Sequence, residues 1–458
     1  MNRRKDQFFG RERVLREITA GVLATQPASF SLVGAKLAGK SRLLDYLASS
    51  TGPLLGDEYA DWRPFGFQDA NRIVVTQIDC HWQECEVDLL SHMADRVEHQ
   101  LRVVERLQLD WDQVANQPGA SRRLWQISHQ LTQMRLRLVL LIDNFDTVFE
   151  DQLLTPASVD ELRPLTREAA LVVATEQPLH DLDRELAASP LFNVMTQLLI
   201  GLLDPASTRE WLDAYAADAP AIEAIREPLL ELTGSHPFLL LRVGDILDEL
   251  PLLCAPGQRI TAEHLPIIRL RLAEHGRLLF VTYWRNLQQP PKRIDARLLM
   301  GVIERLLRSP LATNQVAREH IPTLNWLINQ GMVIFGGQGY RLFSPLFAEF
   351  LANRLANVTH AMPVPRPVAT AAPPLDEGVY EQLTKTERAL LHYFQTHSYA
   401  VIAPEQLLAD VWKRPDASPR RVQEAIRRLR LQLEVAVPAV GSIENERGRG
   451  YRFIPTAP

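Results

Sequence analysis

Two glycines separated by four residues and followed by a lysine and a serine form the run GAKLAGKS, from Gly34 to Ser41. Glycines let backbone N–H groups approach phosphate oxygens closely, and a lysine ammonium neutralises the outer phosphates of a nucleotide. A serine hydroxyl at the start of the following helix can bind Mg²⁺. The pattern is that of a P-loop, and it predicts that Gly34, Gly39, Lys40 and Ser41 bind ATP or ADP.

Acidic residues follow a second apolar run, LVLLIDNFD, about 100 residues further along the chain. Asp143 ends this run, and a carboxylate at the end of a buried strand suits the magnesium side of a P-loop site. Ser41 and Asp143 are therefore the predicted metal ligands. Asn144 stands where a hydrolytic enzyme usually keeps a carboxylate, and an amide can orient water but cannot accept its proton. Asp146 is the alternative base, provided that the strand continues that far.

The elements around these residues alternate in type. Residues 30–33 (FSLV) predict a strand that enters the glycine loop, and RLLDYLASS predicts the helix after it. Residues 72–79 (RIVVTQID), the LVLLID run and residues 170–176 (ALVVATE) predict further strands with helices between them. We therefore expect an α/β P-loop fold with a mostly parallel sheet over residues 1–203.

The rest of the chain predicts smaller units. Residues 204–273 are helical throughout and suggest a lid domain. Residues 274–356 combine helices with MVIF and YRLF, two short strands that turn at Gly336-Gly337, as in an inner winged-helix domain. Residues 357–376 are rich in proline and alanine and predict a linker, and residues 377–458 predict a last domain.

Composition limits the classes of protein that fit. The 458 residues suggest about three cores, and 46% hydrophobic with 23% charged residues is typical of a globular protein. The net charge is −5, so a nucleic-acid surface would have to be a local basic patch. The N-terminus lacks an apolar signal segment, and no apolar run is long enough to span a membrane, so we expect a cytoplasmic protein without a membrane partner.

Three dispersed motifs add a resemblance over about residues 8–350. FFGRERVLREI carries Arg11, ALVVATEQPL carries Thr175, and TGSHPFLLL carries His236 and Pro237. With the P-loop and the acidic strand, their order resembles the signal-transduction ATPases with numerous domains (STAND), which are relatives of AAA+ proteins. The resemblance implies that Arg11, His236 and Pro237 lie at the nucleotide and that Thr175 acts with Asp143, Asn144 and Asp146 in catalysis.

The departures from this family concern hydrolysis. Many relatives have a second carboxylate at the position of Asn144 and an arginine at the position of Glu176. We therefore expect tight binding of ATP or ADP with slow or absent hydrolysis, so that the nucleotide sets a conformation. If the fold is otherwise competent, Asn144→Glu should accelerate hydrolysis.

The last domain resembles the winged helix-turn-helix output domain of bacterial two-component response regulators. RRVQEAIRRLRLQL stands at the position of the recognition helix, and Val422, Ile426, Leu429 and Leu433 recur at the spacing of a buried helix face. Between Lys413 and Arg430, seven cations and two anions give a local excess of five positive charges. The predicted DNA-binding residues are Arg420, Arg421, Gln423, Arg427, Arg428, Arg430, Arg447 and Arg449.

The resemblance implies roles for these residues. Arg420, Gln423 and Arg427 would contact bases in the major groove, and Arg428 and Arg430 would contact phosphates. The glycine-rich run ERGRGYRF would form the wing, with Arg447 at the minor groove and Arg449 at the backbone.

The predicted function is a STAND-type transcription regulator that binds double-stranded DNA and forms a homo-oligomer on ATP binding, with a protein partner as a possible source of the signal. Two other functions fit the same features. One is an ATP-dependent defence or assembly sensor that uses the winged helix as an adaptor. The other is an origin-type AAA+ initiator, which also joins a P-loop unit to winged helices.

Overall fold

The computed structural model describes residues 8–80, 88–104, 107–150, 156–182, 190–216, 220–253, 261–291, 293–337, 339–360, 383, 385–398, 401–412, 420–435, 441–446 and 450–455. The chain divides into two compact units. One comprises Met1–Gly276 with Asn286–Phe350, and the other comprises Arg277–Arg285 with Leu351–Pro458. The domain boundaries given above stay predictions.

A five-stranded parallel sheet forms the centre of the first unit. Its strands are β1 (Ser29–Val33), β2 (Ile73–Asp79), β3 (Arg137–Asp143), β4 (Ala169–Thr175) and β5 (Met195–Leu199). Their order across the sheet is β2-β3-β4-β1-β5, and every neighbouring pair is parallel. The predicted α/β P-loop architecture is confirmed. All five strands end at the same edge of the sheet, where ligands bind in open α/β folds.

Strand β3 shows why the apolar run at 138–142 is nearly unbroken. Leu138, Leu140 and Ile142 belong to a core on one face of the sheet. Val139 and Leu141 belong to a second core on the other face. Because both faces are covered, every position of the strand is buried, which is typical of parallel sheets.

Helices cover both faces. Those up to residue 193 are α1 (Glu12–Val22), α2 (Lys40–Ala48), α3 (Leu89–Arg102), α4 (Trp111–Ala115), α5 (Ala120–Gln133), α6 (Thr147–Glu150), α7 (Pro156–Leu162), α8 (Leu179–Leu182) and α9 (Pro190–Asn193). Residues of α1 and α2 belong to one core, and residues of α3 and α5 belong to the other.

The segment that follows is helical, as predicted for the lid. Its helices are α10 (Pro205–Ala216), α11 (Arg226–Thr233), α12 (Pro237–Leu253) and α13 (Leu265–His275). The turn between α11 and α12 contains Gly234 and Ser235, both with left-handed backbone.

The predicted helices and ribbon of the inner winged helix are present. The helices are α14 (Arg277–Gln288), α15 (Ala296–Arg308), α16 (Ile321–Asn329) and α17 (Pro345–His360). Between α16 and α17, β6 (Val333–Gly336) and β7 (Gly339–Leu342) pair antiparallel. No helix within the described ranges is long and apolar enough to cross a membrane.

The C-terminal part of the second unit is a small α/β domain with its own core. It contains α18 (Lys385–Thr396), β8 (Val401–Ile402), α19 (Pro404–Asp410), α20 (Arg420–Val435), β9 (Gly441–Glu446) and β10 (Gly450–Pro455). The three strands form a sheet in the order β8-β10-β9 with antiparallel pairs. The predicted buried face of α20 is confirmed, because Val422, Ile426, Leu429 and Leu433 all lie in the core. Most of the predicted linker lies outside the described residues.

Candidate functional site

The glycine loop connects β1 to α2 at the carboxyl edge of the sheet. The N–H group of Gly34 donates to the carbonyl oxygen of Thr175 on β4 at 3.1 Å, which fixes the start of the loop. At the other end, Gly39 has a φ of +90°, a conformation that L side chains rarely adopt. A Cβ atom at Gly39 would lie 3.9 Å from Cγ of Pro237 and 4.0 Å from Nη2 of Arg11, so both side chains border the loop at this point.

Two half-buried cations border this loop. The Lys40 ammonium donates to the carbonyl oxygens of Gly34 at 2.6 Å and Ala35 at 3.1 Å. Burial lowers the pKa of Lys40, and the nearby charges of Glu176, Asp146 and Asp143 act in the opposite direction. A partly buried ammonium whose hydrogen bonds go only to neutral oxygens is suited to receive an anionic ligand.

Arg11 is the second cation. Its Nη2 atom donates to the carbonyl oxygens of Ala38 at 2.7 Å and Gly201 at 2.8 Å. Burial lowers the pKa of Arg11 to about 10. The contact with Ala38 places this guanidinium directly against the loop. The contact of Arg11 with a nucleotide, which the family resemblance implies, stays a prediction. The residues present thus fit the phosphate part of a nucleotide.

The predicted metal ligands lie on two different elements. Asp143 is the last residue of β3 and is buried, and its Oδ1 atom accepts the N–H group of Asn144 at 2.9 Å. Ser41 is in the first turn of α2 and is exposed. A Mg²⁺ ion held here would take its remaining ligands from phosphate oxygens and water. The metal role of both residues stays a prediction.

The side chains of Asn144 and Asp146 form hydrogen bonds on opposite sides of β3, Asn144 on the side of β2 and Asp146 on the side of β4. The strand ends at Asp143, because Asn144 has a φ of +53°, and so the strand does not continue to Asp146. The Asn144 amide donates to Oδ1 of Asp79, at the end of β2, at 2.8 Å. In the sheet, β2 lies on the side of β3 away from β1 and its loop.

Asp146 instead lies against the β4 side. Both of its carboxylate oxygens accept the N–H group of Glu176, at 2.9 and 2.8 Å. Burial, together with the charge of Glu176, raises the pKa of Asp146 to about 6. Of the two candidate water-binding residues, Asp146 is therefore the one that acts electrostatically on Lys40.

Thr175 is the last residue of β4 and is fully buried. Its Oγ1 atom has no hydrogen-bond partner among the described residues. A buried hydroxyl without a partner is costly in a folded protein, and such groups are often satisfied by a ligand or water. The position suits the polar contact that the family resemblance assigns to Thr175.

A cleft of about 460 Å³, including its open mouth, adjoins the glycine loop. Its walls include Arg11, Gly39 and Pro237, three of the residues predicted to bind the nucleotide, together with Phe8, Arg42 and Trp211. Sequence reasoning did not single out the last three, which lie on three different segments. Phe8, an aromatic residue ahead of the P-loop in the sequence, was a signal that could have pointed to this wall.

His236 lies behind the cleft wall and has no exposed surface. Its ring is 5.5 Å from that of Phe343, and its Nδ1 atom accepts the N–H group of Phe238 at 3.2 Å. Burial, with a smaller contribution from Arg11, lowers the pKa of His236 to about 3. Pro237 reaches the cleft and His236 does not, so a direct contact of His236 with a nucleotide stays a prediction.

A row of aromatic rings supports Phe8 at the cleft. Phe8 stacks on Tyr46 of α2 with a centroid distance of 4.5 Å and an interplanar angle of 3°. The hydroxyls of Tyr46 and Tyr59 are 2.7 Å apart, and Tyr59 packs edge-on against Trp62 at 4.6 Å. The Arg16 guanidinium covers Trp62 at 4.1 Å. The row fixes one wall of the cleft to the helix that follows the loop.

Backbone strain is concentrated around this site. Among the described residues, the non-glycine residues with positive φ are Arg11, Leu37, Arg135, Asn144 and Ser235. All but Arg135 belong to the segments that form the loop, the cleft wall or the end of β3. Left-handed backbone costs a non-glycine residue about 1–2 kcal/mol, and such strain clusters at functional sites.

The candidate nucleic-acid interface is on α20 of the C-terminal domain. Gln423 and Arg428 are exposed on this helix, and Arg427 is half-buried. The Nε atom of Arg430 donates to the carbonyl oxygen of Ile443 at 2.8 Å, so part of this side chain binds β9. Arg420 and Arg421 lie on the helix, and their side chains are not among those described. Arg447 and Arg449 lie outside the described residues.

The C-terminal domain matches a known family. Residues 379–453 match the family described as "Transcriptional regulatory protein, C terminal". The phosphate regulon transcriptional regulatory protein PhoB of Klebsiella pneumoniae is 41% identical over 87 residues, which are 19% of this chain and 35% of PhoB. The chain thus spans about a third of the length of this curated relative. This domain is therefore a winged helix-turn-helix domain of transcription regulators, as the sequence predicted.

Solved structures resemble longer parts of the chain. A Walker-type ATPase of Pyrococcus abyssi has a TM-score of 0.47 and 15% identity, and the match covers 75% of this chain and 96% of that one. The ORC2 protein of Aeropyrum pernix has a TM-score of 0.44 and 13% identity, with coverage of 78% and 99%. A STAND protein with a tetratricopeptide repeat sensor from Pyrococcus horikoshii has a TM-score of 0.29 and 12% identity, with coverage of 93% and 54%. Similarity of this degree assigns no activity to the chain.

Proposed function

We propose that the protein is an ATP-binding transcription regulator of the STAND type, in which the bound nucleotide controls conformation or oligomerisation and the C-terminal winged helix binds double-stranded DNA. The proposal keeps the domain arrangement predicted from the sequence, with ATP or ADP and Mg²⁺ as ligands. One observation carries it. The turn between α11 and α12 forms a wall of the cleft and packs against the residue that follows the inner ribbon, which consists of β6 and β7.

That turn connects α11 to α12. Pro237, at its end, lines the cleft. Gly234 has a φ of +54°, and a Cβ atom there would lie 1.9 Å from the carbonyl oxygen of Phe343, directly after β7. The Ser344 hydroxyl donates to the carbonyl oxygen of Leu232 at 2.6 Å. A ligand that shifts Pro237 would therefore shift a backbone that is in tight contact with the ribbon, and tightly packed contacts tend to switch between discrete arrangements.

The chemistry around the loop supports binding more than turnover. Lys40 and Arg11 supply positive charge to the phosphates, and a bound Mg²⁺ would neutralise more of their charge next to Ser41 and Asp143. Asn144 cannot accept a proton from water, and its amide is engaged with Asp79. Both oxygens of Asp146 already accept a hydrogen bond from Glu176. We therefore propose slow or absent hydrolysis.

The C-terminal domain supports the proposed binding of double-stranded DNA. Gln423 and Arg428 are exposed on α20, and the outer face of such a helix suits the major groove. Arginine contacts to phosphates would give affinity, and contacts to bases would give sequence preference. The second candidate function is an adaptor, in which the same face binds a protein.

Nucleotide binding is tested with the full-length chain. Labelled ATP and ADP should bind the wild type in the presence of Mg²⁺, and Lys40→Ala should lose this binding because the phosphates lose the cation that pairs with them. The matched control is Arg13→Ala, which removes an exposed cation of α1. Light scattering with ADP and with a non-hydrolysable ATP analogue measures the oligomeric state. An equal mass with both nucleotides and no change in protease sensitivity would contradict nucleotide control.

DNA binding is tested with the same chain and a library of genomic fragments over a range of salt concentrations. If the protein is a regulator, the bound fragments should share a defined site. Its affinity for DNA should also fall steeply as the salt concentration rises, because binding releases counterions. Arg428→Ala should weaken binding, whereas Arg122→Ala, an exposed arginine of α5, should not. No DNA binding at low salt, with either nucleotide, would favour the adaptor.

A further inference from the structure

Glu176 stands at the junction of the glycine loop and the end of β4. It directly follows Thr175, whose carbonyl oxygen accepts the N–H group of Gly34 at the start of the loop. The Glu176 carboxylate forms an ion pair with Lys36, a residue of the loop itself, at 3.3 Å. An acidic side chain is thus paired with the loop that would hold phosphates.

The position of Glu176 is fixed from the backbone. Its N–H group donates to both oxygens of Asp146 at 2.9 and 2.8 Å. The next residue before Asp146, Phe145, donates its N–H group to the carbonyl oxygen of Ala174 at 2.9 Å. The backbone of Glu176 is therefore held by two successive contacts between the ends of β3 and β4.

The charge of Glu176 extends to the second lysine of the loop. Among the acidic groups that act on the Lys40 ammonium, Glu176 has the largest influence, ahead of Asp146 and Asp143. The lysine of a P-loop binds the outer phosphates of the nucleotide. A diphosphate and a triphosphate differ by about one unit of charge in this outer region, next to the lysine on which Glu176 acts.

We propose that Glu176 sets the preference of the site between nucleoside diphosphate and triphosphate, by holding Lys36 in an ion pair that the third phosphate must replace. This inference rests on the proposed nucleotide binding and adds a residue that determines specificity. With a diphosphate bound, the pair between Glu176 and Lys36 stays intact. With a triphosphate, Lys36 changes partner and Glu176 becomes an unpaired anion beside the added charge. The pair therefore favours retention of the diphosphate.

The test measures dissociation constants of the full-length protein for fluorescent ADP and for a fluorescent, non-hydrolysable ATP analogue, both with Mg²⁺. The readout is the ratio of the two constants, because it cancels general losses of affinity. Glu176→Gln keeps the shape of the side chain and removes its charge. It should shift the ratio about two- to fivefold towards the triphosphate, which is the size expected for the loss of one partly exposed ion pair.

Two further variants define the mechanism. Lys36→Gln should shift the ratio in the opposite direction, and the effect of Glu176→Gln should shrink when Lys36 is already replaced, since the two residues act as a pair. Glu98→Gln is the matched control. It removes a carboxylate that pairs with Arg123 at 2.7 Å and lines neither the loop nor the cleft, so it should leave the ratio unchanged.

The outcomes separate this inference from the function on which it rests. If the wild type binds neither nucleotide, both are wrong. If it binds both and the ratio stays unchanged in Glu176→Gln, only the role of Glu176 is overturned. Additive effects of Glu176→Gln and Lys36→Gln would overturn the part played by the ion pair. If Glu176→Gln fails to fold, an unchanged ratio in Lys36→Gln decides against the inference.

Discussion

The hydroxyl of Ser344 donates a hydrogen bond of 2.6 Å to the backbone carbonyl oxygen of Leu232, although the two residues are 112 positions apart. Ser344 follows the inner ribbon, and Leu232 is in the last turn of α11. Ser344 is 1% exposed, so water cannot replace the bond. This bond ties the ribbon to the helix that precedes the cleft-lining turn.

Replacing this hydroxyl tests the connection. Ser344→Ala should lower the free energy of unfolding by about 1–2 kcal/mol, because a buried carbonyl oxygen loses its partner. It should also reduce the difference in hydrogen exchange of β6 and β7 between the ADP- and ATP-bound states. The matched control is Ser128→Ala, whose buried hydroxyl donates to Leu124 within a single helix at 2.9 Å. An unchanged nucleotide effect in Ser344→Ala would mean that the bond is structural only.

Gly234 offers a stronger perturbation of the same contact. Gly234→Ala should cost about 3 kcal/mol or more, because alanine strains the left-handed backbone and its Cβ would overlap the carbonyl oxygen of Phe343. Gly301→Ala is the control, since an added Cβ there meets nothing within 4 Å and the residue is inside α15. That variant should gain about 0.5–1 kcal/mol. Urea unfolding of both variants measures the difference, and equal stability would contradict the tight contact.

His236 makes stability depend on pH. Its folded-state pKa is lowered to about 3 from an ordinary value of 6.5, so between these values the unfolded chain binds the additional proton. Stability should therefore fall as the pH decreases from about 6.5 towards 3, by up to about 1.4 kcal/mol per pH unit from this residue. His236→Asn should flatten the slope of unfolding free energy against pH over this range. An identical slope in the variant would contradict the prediction.

Asn144 is held by Asp79, and this changes what its replacement is expected to do. A carboxylate at position 144 would face the carboxylate of Asp79 across 2.8 Å, the distance of the present hydrogen bond. Asn144→Glu is therefore no longer expected to accelerate hydrolysis on its own. Asn144→Asp should lower stability by about 1–3 kcal/mol at neutral pH, because a hydrogen bond becomes a repulsion.

The repulsion has its own test. Adding Asp79→Asn to Asn144→Asp restores a donor and an acceptor and should recover most of the lost stability, as measured by a double-mutant cycle. Rates of ATP hydrolysis are measured for the same proteins. A marked acceleration in Asn144→Asp alone would show that residue 144 reaches the attacking water after all.

The regular elements could be predicted because their signals are local. The apolar run at 138–142, the strand–glycine–helix order around Lys40 and the buried positions of α20 follow from periodicity and turn residues. The inner ribbon was also predicted from its own few residues. In each case the residues that specify the element are the residues that form it.

The site could be predicted only in part because its geometry depends on distant contacts. The bond between Arg11 and Gly201 joins positions 190 residues apart, which no local pattern encodes. Likewise, the left-handed backbone of Asn144 separates it from Asp146 and turns it towards Asp79. The sequence indicated that these carboxylates and amides belong to one site. It could not indicate which neighbouring residue each side chain would contact.

The aromatic row from Phe8 to Trp62 gives the protein a built-in optical reporter. Indole emission responds to nearby charge and polarity, and Trp62 lies under the Arg16 guanidinium at the end of a row that starts at the cleft wall. A ligand that moves Phe8 would disturb Tyr46, Tyr59 and Trp62 in turn. Occupation of the cleft should therefore be visible in the unlabelled protein as a change in the colour of its own fluorescence.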